Sequence, residues 1–193
     1  MTKPVRVVIA EDDASIRLDL KEILEEEGYE VVGETGRGDQ AIELVRELNP
    51  DLAILDIKMP GMDGLTAART IAGERLAAVL ILTAFSQHDL VDQARDAGAL
   101  AYLVKPFQKS DLIPAIEMAL GRFEQIVALE HENADLAERL EARKIIDRAK
   151  GRLMDEYGQS EADSWRFLQK TAMNSRRKIH EVAADVVSGT LKP

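Results

Sequence analysis

Over its first 110 residues the chain alternates short apolar runs with amphipathic stretches of about a dozen residues, a rhythm that leaves few architectures open. Val5 to Ala10, Glu30 to Gly33, Leu52 to Leu55, Val79 to Leu82 and Ala101 to Val104 are each apolar or β-branched and bounded by Gly, Pro or charge, so they read as strands. Four of the five read as buried on both faces, the mark of a parallel sheet covered by helices. Between them, Ile16, Leu20, Ile23 and Leu24 form a helical stripe that closes at Gly28. Ala41, Ile42, Leu44, Val45 and Leu48 form another that stops at Pro50. The fold class is therefore α/β, built from repeated strand-helix units.

The rhythm ends at Ser110. From there the pattern is helical and continues past Pro114, which a first helical turn tolerates. Ile126, Leu129, Asn133, Leu136 and Leu140 then recur at alternating spacings of three and four, a short coiled-coil seam with Asn at one seam position. Such a seam pairs two copies of a chain or packs on the chain's own domains. Beyond it, Ile145, Ile146, Ala149, Leu153 and Tyr157 extend the long helix to a break at Gly158. Ser160, with Asp163 three residues on, starts a second helix whose inner face is Trp165, Leu168 and Ala172. Asn174 or Ser175 caps a third, which turns Ile179, Val182, Ala183, Val186 and Val187 inward until Gly189.

Composition narrows the chemistry. Hydrophobic residues make up 46% and charged residues 31%, enough apolar surface for real cores. With no cysteine there is no disulfide framework, thiolate metal site or thiol nucleophile. No signal-type segment is evident and no apolar run approaches the roughly 18 residues of a membrane span, so a cytoplasmic protein is expected. The net charge of −10 is unevenly spread: residues 1–120 hold 12 basic and 22 acidic side chains, whereas 139–180 hold 11 basic and 6 acidic ones. An anionic partner belongs with the second half.

Parallel α/β sheets bind ligands beyond the carboxyl ends of their strands, where strand order reverses. Glu11 and Asp12 follow the first apolar run, Asp56 the third, Thr83 the fourth and Lys105 the fifth, so distant positions should meet on one rim. Three carboxylates there repel one another unless a divalent cation offsets them, and an all-oxygen ligand set suits Mg2+. The Lys58 carbonyl, two residues past Asp56, is a candidate backbone ligand. Given a phosphoryl donor, Asp56 is the nucleophile that forms an acyl phosphate, Lys105 places an ammonium on the phosphoryl oxygens, and Thr83 donates a hydrogen bond to one of them. Taken singly, a strand-end Asp is a turn or helix cap, a Thr is a good strand residue, and a Lys before Pro lies on the surface. Asp13 is the acid best explained as a simple cap for the helix near Ala14. The convergence argues for chemistry.

At these residues, in the order IAEDD, LDIKMPGMDG, LTA and YLVKPF, the chain resembles the receiver domain of bacterial response regulators over about residues 4 to 122. The resemblance implies a flavodoxin-like, five-stranded, doubly wound sheet and phosphorylation of Asp56 by a histidine kinase. It also implies metal ligation by Asp12 and Asp56 with Glu11 assisting, and a cis peptide between Lys105 and Pro106. In the family pattern Tyr102 is the aromatic switch that turns inward when Thr83 shifts toward the phosphate, and Lys58 and Phe85 tune water access. Bulky Phe85 is expected to slow hydrolysis. Beyond self-phosphorylation and slow self-dephosphorylation no enzyme activity is expected, because a phosphatase would need an acid where Lys58 stands.

Residues 139 to 188, through AKGRLM, SEAD with Trp165, KTAMNSRRK and VAADVV, resemble the ANTAR domain, a three-helix RNA-binding module. The whole arrangement resembles the phosphorylation-dependent antitermination regulators of actinobacteria: a receiver over 1–122, a coiled-coil helix over 123–140 and an ANTAR domain over 141–193. It implies a homodimer whose ANTAR domains bind RNA hairpins and keep a terminator from forming. Lys150, Arg152, Arg176, Arg177 and Lys178 are the expected contacts, with arginine stacking on exposed bases and both cation types neutralising phosphate. Trp165 belongs to an apolar stripe and is expected in the core. A DNA-binding helix-turn-helix is the natural rival, but the cations sit on the long helix, from Arg143 to Arg152, and in SRRK rather than on an evident recognition helix. A protein-interaction output is the other alternative.

Overall fold

The computed structural model describes residues 3–84 and 88–193. Two compact units, Met1–Ala128 and Leu129–Pro193, divide the chain. The first contains β1 (Arg6–Ala10), α1 (Ala14–Glu26), β2 (Glu30–Thr35), α2 (Gly38–Leu48), β3 (Leu52–Asp56), α3 (Gly64–Gly73), β4 (Ala78–Thr83), α4 (His88–Asp96) and β5 (Ala101–Val104). Helix α5 (Lys109–Tyr157) passes the boundary without a break, and α6 (Glu161–Ser175) and α7 (Ile179–Ser188) follow.

The strands form one parallel sheet in the order β2-β1-β3-β4-β5. Because a strand shows alternate side chains to opposite faces, its residues sort into two cores. Val8, Ala10, Ala53, Leu55, Val79 and Ile81 pack with residues of α2, α3 and α4. Val7, Ile9, Leu52, Ile54, Leu80 and Leu82 pack with Leu20 and Leu24 of α1 and Leu112 and Ile116 of α5. Each fully buried Leu or Ile contributes about 1.5–3 kcal/mol relative to exposure, which makes the three central strands the anchor of the unit. Only β1, β3 and β4 are buried on both faces, not four strands; β2 and β5 are the sheet edges and remain half-exposed.

Caps fix where helices start beside the sheet. The Asp13 carboxylate accepts the Ser15 and Ile16 amides at 2.8 and 3.3 Å and so begins α1. Asp63 accepts the Thr66 amide at 2.8 Å and the Thr66 hydroxyl at 2.9 Å and so begins α3. Asp63→Ala is expected to cost about 1 kcal/mol, read as a fall in the urea midpoint with unchanged slope. Pro114 lies past the first turn of α5, contrary to the sequence reading; it is exposed and leaves the Ser110 carbonyl, on an exposed residue, without its helical donor.

The second unit is closed by Ala149 and Leu153 of α5, Leu168 and Ala172 of α6, and Val182, Ala183 and Val186 of α7. Helix α5 ends where expected, with Gly158 at φ 64°, and Ser160 caps α6 through the Asp163 amide. Two expectations fail here. Trp165 is 40% exposed, and Ser164 takes the inner position instead. Counting back from Leu168, both positions fit the helical period, and the small side chain is the one buried. Neither Asn174 nor Ser175 caps α7. The Ser175 hydroxyl donates back to the Thr171 carbonyl at 2.7 Å, α6 runs on to Ser175, and α7 starts after Lys178, whose amide donates to the Glu181 carboxylate at 3.2 Å.

The seam side chains Leu129, Leu136 and Leu140 are all more than half exposed, and Asn133 is exposed with them. Ile126, the first seam residue, is half-buried. Among the described residues no helix is long and apolar enough to cross a membrane.

Candidate functional site

Strand order reverses between β1 and β3, since β2 lies on one side of β1 and β3 on the other, and a crevice forms past the carboxyl ends of these two strands. Glu11 is the first residue beyond β1, and Asp56 is the last of β3. Glu11 is 1% and Asp56 5% exposed, whereas Asp12 faces solvent. One carboxylate oxygen from each of Glu11, Asp12 and Asp56 lies within 4.8 Å of the others.

Lys105, just past β5, crosses the rim: its ammonium is 2.5 Å from Glu11 Oε2 and 2.8 Å from Asp56 Oδ1. The other Asp56 oxygen, Oδ2, accepts the Lys58 amide at 3.1 Å. Thr83 is the buried last residue of β4, and its carbonyl accepts the Lys105 amide at 2.7 Å. The peptide between Lys105 and Pro106 is cis. Tyr102 sits on the edge strand β5 and is about half exposed. Phe85 lies outside the described residues. The cluster opens on a groove of about 750 Å³ walled by Asp13, Ile16 and Phe107, and Asp12 and Lys58 also line a second of about 730 Å³ reaching Arg69.

Burial, aided by the charge of Asp56, holds the Glu11 carboxyl above its usual range despite the bond from Lys105. Burial works against the Lys105 ammonium too, yet its bonds to Asp56 and Glu11 outweigh that and lift it above its usual range. One ammonium among three carboxylates leaves an excess of negative charge that a hard divalent cation offsets, and the donors are all oxygens. These residues fit such an ion.

Two supports escaped the sequence. Arg17, one turn into α1, donates to the Glu11 carbonyl at 2.5 Å and so fixes the strand end that carries the acids. The Asp13 amide donates to Glu11 Oε1 at 3.2 Å, so the residue read as a cap also orients the buried acid. No spacing rule announces either contact.

The five expected RNA contacts divide. Lys150 is bound between Asp147 and Glu161, both at 3.0 Å. Arg152 pairs with Glu156 at 2.8 Å and donates to the Val187 carbonyl at 2.7 Å, which caps the end of α7. Arg177 is held by Asp185 at 2.6 Å and Glu181 at 3.6 Å. Arg176 and Lys178 are exposed and make no ion pair among the described residues. The turn between α6 and α7 thus gathers Arg176, Arg177 and Lys178, whereas the α5 pair serves the unit's own packing.

Residues 7–117 match the response regulator receiver domain and residues 134–187 the ANTAR domain. Over 188 residues the chain is 57% identical to the transcriptional regulatory protein PdtaR of Mycobacterium tuberculosis, spanning 97% of this chain and 91% of that protein. The signal receiver domain of the response regulator NarL from Mycobacterium tuberculosis aligns at a TM-score of 0.59 and 32% identity, over 62% of this chain and 99% of that one. The CheX-CheY-BeF3-Mg+2 complex from Borrelia burgdorferi aligns at 0.56 and 27% identity, over 58% of this chain and 87% of that one. With a receiver match over more than half its length, an ANTAR match after it and a relative similar from end to end, the chain belongs to the response regulators that join a receiver domain to an ANTAR domain.

Proposed function

We propose that a histidine kinase transfers a phosphoryl group to Asp56 and that this controls how the ANTAR unit binds RNA hairpins, making the protein a phosphorylation-dependent transcription antiterminator of the cytoplasm. The observation that carries the reading is Lys105 bridging Glu11 and Asp56 at 2.5 and 2.8 Å beside Asp12. In the transfer an Asp56 carboxylate oxygen attacks phosphorus as the bond from phosphorus to the kinase histidine nitrogen breaks, and the electron pair leaves with nitrogen. Lys105 then exchanges a carboxylate oxygen for a phosphoryl oxygen, and the Thr83 hydroxyl donates to another. Glu11, Asp12, Asp56 and the Lys58 carbonyl would hold Mg2+, which when bound supplies charge neutralisation for the phosphoryl oxygens. The new dianion draws Thr83 toward it, and the space vacated admits Tyr102.

The exposed seam supports a homodimer paired along α5, with Asn133 setting register. Leu136→Lys is expected to weaken self-association at least about tenfold in sedimentation equilibrium, since a lysine in the seam leaves a charge without water. Unchanged association would remove the seam from the account. Arg176 and Lys178, exposed on the α6–α7 turn, support the RNA contact.

The deciding experiment measures hairpin RNA affinity with and without an acyl-phosphate donor and Mg2+, for wild type and Asp56→Ala. A donor-dependent change confined to wild type is expected. Equal affinity in all four conditions would sink the coupling of site to output.

A further inference from the structure

A shallow groove of about 560 Å³ lies at the α6–α7 turn. Ile146, Ala172 and Ile179 give it an apolar lining, Gln169 and His180 add polar groups, and Met173 at its rim is 73% exposed. The Gln169 amide makes no side-chain hydrogen bond among the described residues. Arg176 and Lys178 stand at the same groove without ion pairs among the described residues, while Arg177 between them is held by Asp185 and Glu181. Arg176 takes a left-handed φ of 54°, the conformation that favours glycine, and in this chain a long cation occupies it.

We propose that this groove takes one unpaired nucleobase of a hairpin loop, with Gln169 and His180 reading its edge and Arg176 and Lys178 holding the phosphates on either side. The inference rests on the RNA-binding reading above and names the part of the RNA that is read. A flat heteroaromatic ring suits apolar walls with a polarisable thioether at the rim, and its edge suits an amide and an imidazole that offer both donor and acceptor. The two unneutralised cations match a phosphodiester backbone entering and leaving the groove. Arg177, already neutralised, is not part of the contact.

The test uses the full chain treated with acyl-phosphate donor and Mg2+, and a pool of RNA hairpins with randomised loops at low salt. Wild type is expected to retain hairpins in which one loop position is fixed to a single base, with other bases there bound about tenfold or more weakly. Gln169→Leu should still bind the retained hairpins but lose that preference, and Met173→Glu, at a rim position that tolerates any side chain, should weaken them all. Arg176→Ala should weaken every sequence alike and reduce the salt slope by about one. If wild type binds hairpins and Gln169→Leu keeps the same base preference, or if no loop position is selected, the groove is not the reader and RNA binding stands. Should wild type retain no hairpin, both this inference and the RNA-binding function fall, and a protein occupant takes their place.

Discussion

Asp56→Asn is expected to fold as wild type does and to take up no phosphoryl group from acetyl phosphate or from a kinase. Mass spectrometry of wild type should show a base-labile phosphoryl adduct on Asp56, and of the variant none. The amide has nearly the same shape, so the Lys58 amide still finds an oxygen where it now meets Asp56 Oδ2 at 3.1 Å, and Lys105 keeps its 2.5 Å contact to Glu11. What disappears is the charged nucleophile and, with it, the 2.8 Å contact of Lys105 to Asp56 Oδ1, because the NH2 that takes that place cannot accept from an ammonium. The melting temperature should therefore move by no more than about 4 °C, the equivalent of about 1 kcal/mol in a domain of this size. Its pH dependence carries a second signature. In wild type, burial and the Asp56 charge raise the Glu11 carboxyl, so the folded state favours the protonated acid and stability declines as pH rises through that raised value. Asp56→Asn removes one of the two causes, and its stability should decline less over the same interval. An adduct that persists in the variant would move the acceptor to another residue and with it the role given to Lys105.

The sheet and its rim were legible because both are written in short-range pattern. Leu52 to Leu55 is an unbroken apolar run ending at an acid, and β3 proves to be fully buried up to Asp56. Lys105 and Glu11 lie 94 positions apart, yet each follows its strand directly, and parallel topology alone brings strand ends to one side. The helical half was less legible because a period of 3.6 residues leaves neighbours nearly equivalent. Ser164 and Trp165 both fit the stripe through Leu168 and Ala172, and the tight helix packing chose the smaller. The start of α7 was missed because Ser175 bonds backward to Thr171 rather than forward, a choice that composition does not reveal. Arg152 reads as one more surface cation until its contact with the Val187 carbonyl, 35 positions on, gives it the task of closing α7.

Gly64→Ala is expected to be the most damaging single-methyl change in the receiver. A Cβ on Gly64 would stand 1.9 Å from the Asp56 carbonyl oxygen and 2.8 Å from its carbonyl carbon, and both neighbours are backbone. No rotamer relieves such a contact. Either α3 moves away at its first residue, carrying the Asp63 cap and the buried Leu65, Ala67 and Ala68 out of register, or the end of β3 moves and takes Asp56 with it. The first course opens the core on the α3 side and the second disperses the acidic cluster. A loss of about 3 kcal/mol is expected, a fall of roughly 6–12 °C in the melting temperature of the receiver, together with slowed phosphorylation of whatever remains folded. The contrasting change is Gly73→Ala, in the last residue of the same helix, where a Cβ meets nothing within 4 Å and φ is not left-handed. There the methyl restricts the unfolded chain and favours helix, so stability should rise by about 0.5–1 kcal/mol. Opposite signs from the same substitution at the two ends of one ten-residue helix would trace the effect to the Asp56 backbone. If both variants melted alike, the close approach of α3 to the end of β3 could not be what fixes Asp56 in place.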